Sequence, residues 1–182
     1  MSYKERKLRY ANTQVVFTEV PNEISLAINI TGCTIHCKGC HSQWLWSNKG
    51  KELTKEELSD LIENNKGITT VLFMGGDDFI NQLAELASDI KYHYPNLKVA
   101  WYSGRSDFEV SRNSRIKELE TYLDYIKIGP YVKQLGGLDN PNTNQRFYRI
   151  DRVPIAEEYP ELGTKLKLID QTYLFQSKNH LV

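Results

Sequence analysis

From residue 24 to residue 31 apolar positions alternate with small or polar ones: Ile24, Leu26, Ile28 and Ile30 fall on one side, Ser25, Ala27, Asn29 and Thr31 on the other. A period of two predicts a β-strand, and Gly32 ends it. Upstream, Val15-Val16-Phe17 predicts a short strand closed by a turn at Pro21-Asn22. Thr54-Lys55-Glu56-Glu57 has the form of a capping box, followed by Leu58, Leu61 and Ile62 on one helical face. Residues 69–74 predict a buried strand ending in Gly75-Gly76. A helix is predicted over residues 78–94, with Phe79, Leu83, Leu86, Ala87 and Ile90 at helical spacing and Pro95 as its stop. Residues 97–102 and 125–128 predict two further strands, with a helix over 114–123 between them.

This rhythm predicts an α/β fold with a mostly parallel sheet. Right-handed crossovers put the C-terminal ends of parallel strands on one rim, where α/β proteins build their sites. The segments expected there are residues 33–40, Gly75-Gly76-Asp77, Ser103-Gly104 and Gly129-Pro130. After Gly136-Gly137 the rhythm breaks. Residues 139–144 read as loop, 146–150 as a short strand, and 166–169 with 172–175 as a hairpin or two edge strands. The expectation is one domain, with a core over about residues 10–150 and an irregular extension over about 151–182.

A chain of 182 residues with 40% hydrophobic and 25% charged side chains has the composition of a globular protein. Its 23 basic and 23 acidic residues cancel, so no charge excess points to nucleic acid or to an acidic tail. No apolar run approaches a membrane span. The N-terminal segment is charged and lacks the apolar stretch of a secretory signal, so a cytoplasmic location is expected.

Only three cysteines occur, Cys33, Cys37 and Cys40, spaced C-x-x-x-C-x-x-C. An odd number so closely set is no disulfide framework and points to a metal or cluster site. Three thiolates can hold three irons of a four-iron cluster and leave the fourth open, as a catalytic centre requires. The alternative is zinc, with His36 or His41 as fourth ligand. Gly75-Gly76 lets the backbone approach a ligand, and Asp77 can accept hydrogen bonds from an ammonium. The alternative there is a plain strand-to-helix turn with Asp77 or Asp78 as helix cap.

Together, the cysteine triad after one strand and the Gly-Gly-acid motif ending the next resemble the radical S-adenosylmethionine (SAM) superfamily. Further motifs are similar to the activating proteins of anaerobic ribonucleoside-triphosphate reductases: residues 19–26, Thr31-Gly32-Cys33, Cys37-Lys38-Gly39-Cys40-His41, Gly129-Pro130-Tyr131 and Asn144-Gln145-Arg146. The likeness spans about residues 10–150. It implies an incomplete (β/α) barrel and a [4Fe–4S] cluster on Cys33, Cys37 and Cys40. It also implies that Gly75, Gly76, Asp77 and Ser103 contact S-adenosyl-L-methionine, with no catalytic side chain beyond these ligands. The implied activity is reductive cleavage of SAM to a 5′-deoxyadenosyl radical that takes hydrogen from a glycine of the reductase large subunit. Electrons would come from a reduced donor such as flavodoxin. The chain departs from the superfamily pattern at Asp77, where Glu is common, at Asp78, where Pro is common, and at Met74, where a small polar residue is usual. A radical SAM enzyme acting on a small molecule, as in deazapurine biosynthesis, and a non-catalytic zinc module stand as alternatives.

Trp44 and Trp46 are candidates for shielding the cluster or for the core, and Lys38 for balancing its charge or for solvent. Arg105 is a candidate contact to the SAM carboxylate or to a partner, and Asn144-Gln145-Arg146 for function or loop capping. His93 and His180 have no supporting constellation and are assigned no role.

Overall fold

Val71, Leu72 and Phe73, like Val99, Ala100 and Trp101 on the strand beside them, are shut off from solvent. Strands apolar on both faces belong inside a sheet covered on both sides. In the computed structural model, which describes residues 6–157 and 163–176, they form its centre. The strands are β1 (Arg9–Val16), β2 (Ser25–Ile30), β3 (Lys51–Glu52), β4 (Thr70–Met74), β5 (Lys98–Tyr102), β6 (Tyr125–Ile128), β7 (Arg146–Pro154) and β8 (Thr164–Asp170). They make one eight-stranded sheet, ordered β3-β1-β2-β4-β5-β6-β7-β8.

The fold is mixed α/β, and three expectations are corrected. The sheet is not mostly parallel: β2, β4, β5 and β6 are joined by three parallel ladders, but four antiparallel ladders flank them. Crossover helices enforce parallel pairing only where they occur, and the outer strands are joined without them. The sheet is open, running from the β3 edge to the β8 edge. The C-terminal region is not irregular over its described part. There β7 and β8 pair antiparallel in seven registered positions, from Tyr148 opposite Asp170 to Pro154 opposite Thr164.

Residues 172–175, expected as a strand, instead enter a short helix, α5 (Tyr173–Gln176). The cause is local hydrogen bonding: Asp170 Oδ1 accepts the Thr172 amide at 2.8 Å. The Thr172 hydroxyl in turn accepts the buried Phe147 amide at 2.9 Å. His180 lies outside the described residues.

Helices α1 (Lys55–Glu63), α2 (Ile80–His93), α3 (Asp107–Arg112) and α4 (Ser114–Glu120) are the other α-helices among the described residues. Leu58 and Ile62 of α1, Leu83, Leu86, Ala87 and Ile90 of α2, and Ile116 and Leu119 of α4 pack with Leu26, Ile28, Val71, Phe73, Val99, Trp101 and Ile126. The alternation in β2 therefore marks two buried faces rather than one. Ala27, Leu72, Ala100, Tyr125 and Phe147 form a smaller core on the opposite, inner face.

Thr54 caps α1 by accepting the Glu57 amide at 3.2 Å, but the capping box stays half made. The Glu57 carboxylate is drawn away to Lys51 and to the Tyr10 hydroxyl. A complete box occurs instead at Ser106 and Glu109, opening α3, an element the sequence reading missed.

At the N-terminal end of the parallel strands Glu23, 6% exposed, gathers four donors. Lys98 Nζ and Tyr125 Oη (3.0 Å) donate to Oε1; Thr69 Oγ1 (2.6 Å) and Thr70 Oγ1 (3.2 Å) donate to Oε2. Desolvation pushes its pKa up, but the bonds from Lys98, Thr69 and Tyr125 and the Lys98 charge outweigh it and hold the carboxyl below its ordinary value. This cluster sits at the opposite end of the strands from the cysteines. At the sheet's other margin, Tyr10 of β1 is the cross-strand partner of both Ile30 and Lys51.

Candidate functional site

The cysteine loop leaves β2 at Thr31 and folds back on a 3-10 turn, Gln43–Leu45. Its start is fixed by the Gly32 and Cys33 amides, which donate to Leu45 O at 2.7 and 3.1 Å, and its middle by Cys40 N to Cys37 O at 3.1 Å. His36 stands at φ 49°, a left-handed conformation that His adopts more readily than most residues. All three thiols are free and partly buried. Desolvation raises the Cys33 thiol above its ordinary value, and the nearby charges of Asp77 and Cys37 add to this, against the Ile35 and His36 amides that favour the thiolate. The Ser42 amide donates to Cys40 Sγ at 3.3 Å.

The expected rim is present. Thr34 Oγ1 donates to Asp78 Oδ1 at 2.8 Å, tying the cysteine loop to the loop after β4. Ile35 packs so closely on Gly104 that a methyl there would lie 3.0 Å from its Cγ1. The Gly129 amide donates to Arg105 O at 2.6 Å, joining the loops after β5 and β6.

In the loop after β4, Gly76 has φ 88°, and a Cβ would stand 2.9 Å from Leu83 Cδ1. Neither aspartate caps α2, whose N-cap residue is Phe79 and makes no side-chain capping bond. Asp78 is taken by Thr34 and by Arg6 at 3.2 Å. Asp77 turns inward at 2% exposure, accepting from the Ser103 hydroxyl and, by backbone hydrogen bond, from Gly104. Desolvation raises its pKa against these bonds and against the charges of Arg105 and Lys127. Arg105 donates to Asp77 O at 3.1 Å, while its Nε is buried without a hydrogen-bond partner. Gly75, Gly76, Asp77 and Ser103 thus form one unit beside the cysteines.

The neighbouring candidates divide. Trp46 stacks on His36 at 4.5 Å and Trp44 is 52% exposed; neither joins the two core clusters. His41 approaches the Tyr131 hydroxyl at 3.3 Å. Lys38 is exposed. Asn144 and Gln145 donate to Pro130 O (2.9 Å) and Gly129 O (3.1 Å), and Arg146 to Thr143 O (2.7 Å), so this segment clamps the loop after β6. His93 pairs with Asp89 on α2.

The sequence reading missed Lys127. It lies on the inner face in a cross-strand row running Asn29, Met74, Tyr102, Lys127, Phe147. Desolvation brings its ammonium down to about 8, against the pull of Asp77, Cys37, Cys40 and Glu19. A lysine inside an otherwise apolar central strand was the available signal. Beneath this row lies a cavity of about 750 Å³, bordered by Phe17, Glu19, Tyr102, Lys127, Gln145 and Phe175.

Among the described residues no three His, Cys, Asp or Glu side chains converge to hold a single ion, and both loop histidines have aromatic neighbours. A cubane takes its thiolates at separate corners, so three free cysteines along one loop fit its donor set. Among the described residues no helix is long and apolar enough to cross a membrane. No curated protein matches the chain significantly. The model of the 4Fe-4S single cluster domain matches residues 24–149. The chain belongs to that family.

Proposed function

We propose that this iron–sulfur protein is a radical SAM activase that generates a glycyl radical on the large subunit of an anaerobic ribonucleoside-triphosphate reductase. The observation that carries the reading is the junction of three strand ends. The loop of Cys33, Cys37 and Cys40 is bonded through Thr34 to Asp78 beside Gly75-Gly76-Asp77, and packed through Ile35 on Ser103-Gly104. In this reading the open sheet is an incomplete (β/α) barrel, one domain with its core over about residues 10–150 and an extension over 151–182.

Cys33, Cys37 and Cys40 would hold a [4Fe–4S] cluster, which when bound supplies the electron that cleaves S-adenosyl-L-methionine. Gly75 and Gly76 would admit the amino-acid end of SAM close to the backbone. Asp77, oriented by Ser103 and Gly104, would favour its ammonium, and an arriving cation would offset the desolvation that burdens this carboxylate. The inner face would shield the site from water. A reduced donor such as flavodoxin would supply electrons in the cytoplasm.

A second reading, a small-molecule substrate, has in its favour the inner cavity of about 750 Å³, within the usual range for such ligands. Anaerobic reconstitution with iron and sulfide tests both. Bound iron and reductant-dependent 5′-deoxyadenosine are expected, and both should be lost in Cys37→Ala. A glycyl signal by electron paramagnetic resonance on added reductase supports the activase. Deoxyadenosine without that signal favours the second reading, and a colourless protein carrying zinc refutes both.

A further inference from the structure

Lys127 holds neither cluster nor SAM in the proposed function, yet it is an unusual residue for its place. β6 lies between β5 and β7, and Tyr125, Ile126 and Ile128 of the same strand are buried. Among the described residues the ammonium makes one hydrogen bond, to Gly129 O at 3.2 Å, and lies 5.9 Å from the centre of the Tyr102 ring. Neither partner carries a formal charge. The carbonyl it reaches belongs to Gly129, and the next residue, Pro130, lines one pocket with Ile35, His36 and Cys37 of the cysteine loop; the groups whose charges act on the ammonium are Asp77, Cys37, Cys40 and Glu19. Two are cysteines of the loop, one is the buried acid beside them, and the fourth borders the inner cavity. A charged side chain in such a place is costly unless something offsets it, and among the described residues it has no ion-pair partner at contact distance.

We propose that Lys127 is the internal counter-charge of the cysteine loop and raises the reduction potential of the cluster held there. The inference rests on the cluster reading of Cys33, Cys37 and Cys40. Potentials of iron–sulfur clusters follow net charge, hydrogen bonding and exposure. Reduction adds a negative charge to an assembly already anionic through its thiolates, and a fixed cation in a poorly polarisable interior favours that added charge. Lys38 is solvent-exposed, where its charge is screened; Lys127 is not so placed.

The test is a redox titration of the reconstituted protein without SAM, followed by electron paramagnetic resonance, for the wild type, Lys127→Met and Lys127→Arg. At the wild-type midpoint, Lys127→Met should show a reduced-to-oxidised ratio about tenfold lower, a shift of about 59 mV for a one-electron couple. Lys127→Arg should stay within about twofold. Coincident wild-type and Met titrations overturn the proposal. So does an Arg variant that shifts as far as Met, because size rather than charge would then be responsible. A Met variant that folds, as judged by its apoprotein melt, but binds no iron while Arg binds it fully supports the counter-charge; loss in both overturns it. A wild type that takes up no iron defeats the cluster reading itself, a result distinct from a loaded cluster whose potential ignores residue 127.

Discussion

Replacing Glu23 by glutamine keeps the shape of the side chain and removes its charge, at a position where both oxygens act only as acceptors. Lys98 and Tyr125 donate to one oxygen, Thr69 and Thr70 to the other. A glutamine can keep its carbonyl towards Lys98 and Tyr125 and turn its amide towards the threonines, whose hydroxyls can rotate to accept. Thr69 would then direct its proton to Ile24 O, already 3.4 Å away. The loss is therefore charge assistance rather than connectivity, about 1–2 kcal/mol at neutral pH. Alanine removes every acceptor. Lys98, with a side chain 46% exposed, can turn to water, but Tyr125 and Thr70 are buried and cannot, so a loss of about 3–5 kcal/mol is expected.

The two variants also differ with pH. Because the folded protein holds the Glu23 carboxyl below its ordinary value of 4.5, the folded state binds this proton less tightly than the unfolded chain. Its contribution is present above 4.5 and is lost as pH falls through the folded value. The gap between wild type and Glu23→Gln should therefore close on acidification. Urea unfolding of the apoprotein, at neutral pH and at several values down to about pH 3, measures both effects. A glutamine variant as unstable as alanine, or a gap that persists in acid, would refute the reasoning.

Gly50→Ala should cost about 3 kcal/mol or more, since φ is 133° and the added methyl would stand 2.1 Å from Tyr10 O; the urea midpoint reports it. Ser103→Ala removes the hydroxyl donor to the buried Asp77 carboxylate, and a stability loss of about 1–3 kcal/mol is expected at neutral pH. Ser106→Ala breaks the box that opens α3 and should cost about 0.5–2 kcal/mol, with iron uptake unchanged.

The central strands were legible because β4 and β5 carry unbroken apolar triplets, Val71-Leu72-Phe73 and Val99-Ala100-Trp101, that suit only a sheet covered on both sides. The rim followed from topology: once β2, β4, β5 and β6 run parallel, their following loops must share an edge. The β7–β8 hairpin was not legible, because Leu166 and Leu168 alternate with Lys165 and Lys167 equally well for several pairings, and register comes from a partner distant in sequence. Local pattern likewise suggested a strand at 172–175, where the hydrogen bonds of Asp170 and Thr172 prevail. The half-made box at Thr54 has the same origin, since Tyr10 and Lys51 compete for Glu57 only after folding. That neither aspartate caps α2 reflects partners distant in sequence, Ser103 for Asp77 and Thr34 for Asp78.

Tyr10 faces both Ile30 and Lys51, so the twenty residues from Thr31 to Gly50 begin and end against the same point of the backbone. Their two ends stand about 10 Å apart, two strand spacings. The entropy of bringing those ends together is therefore spent when the sheet zips up, before any iron arrives. The three cysteines sit on a clasp whose hinge is a single tyrosine, and unzipping that margin would leave their segment held only by its ties to the rim.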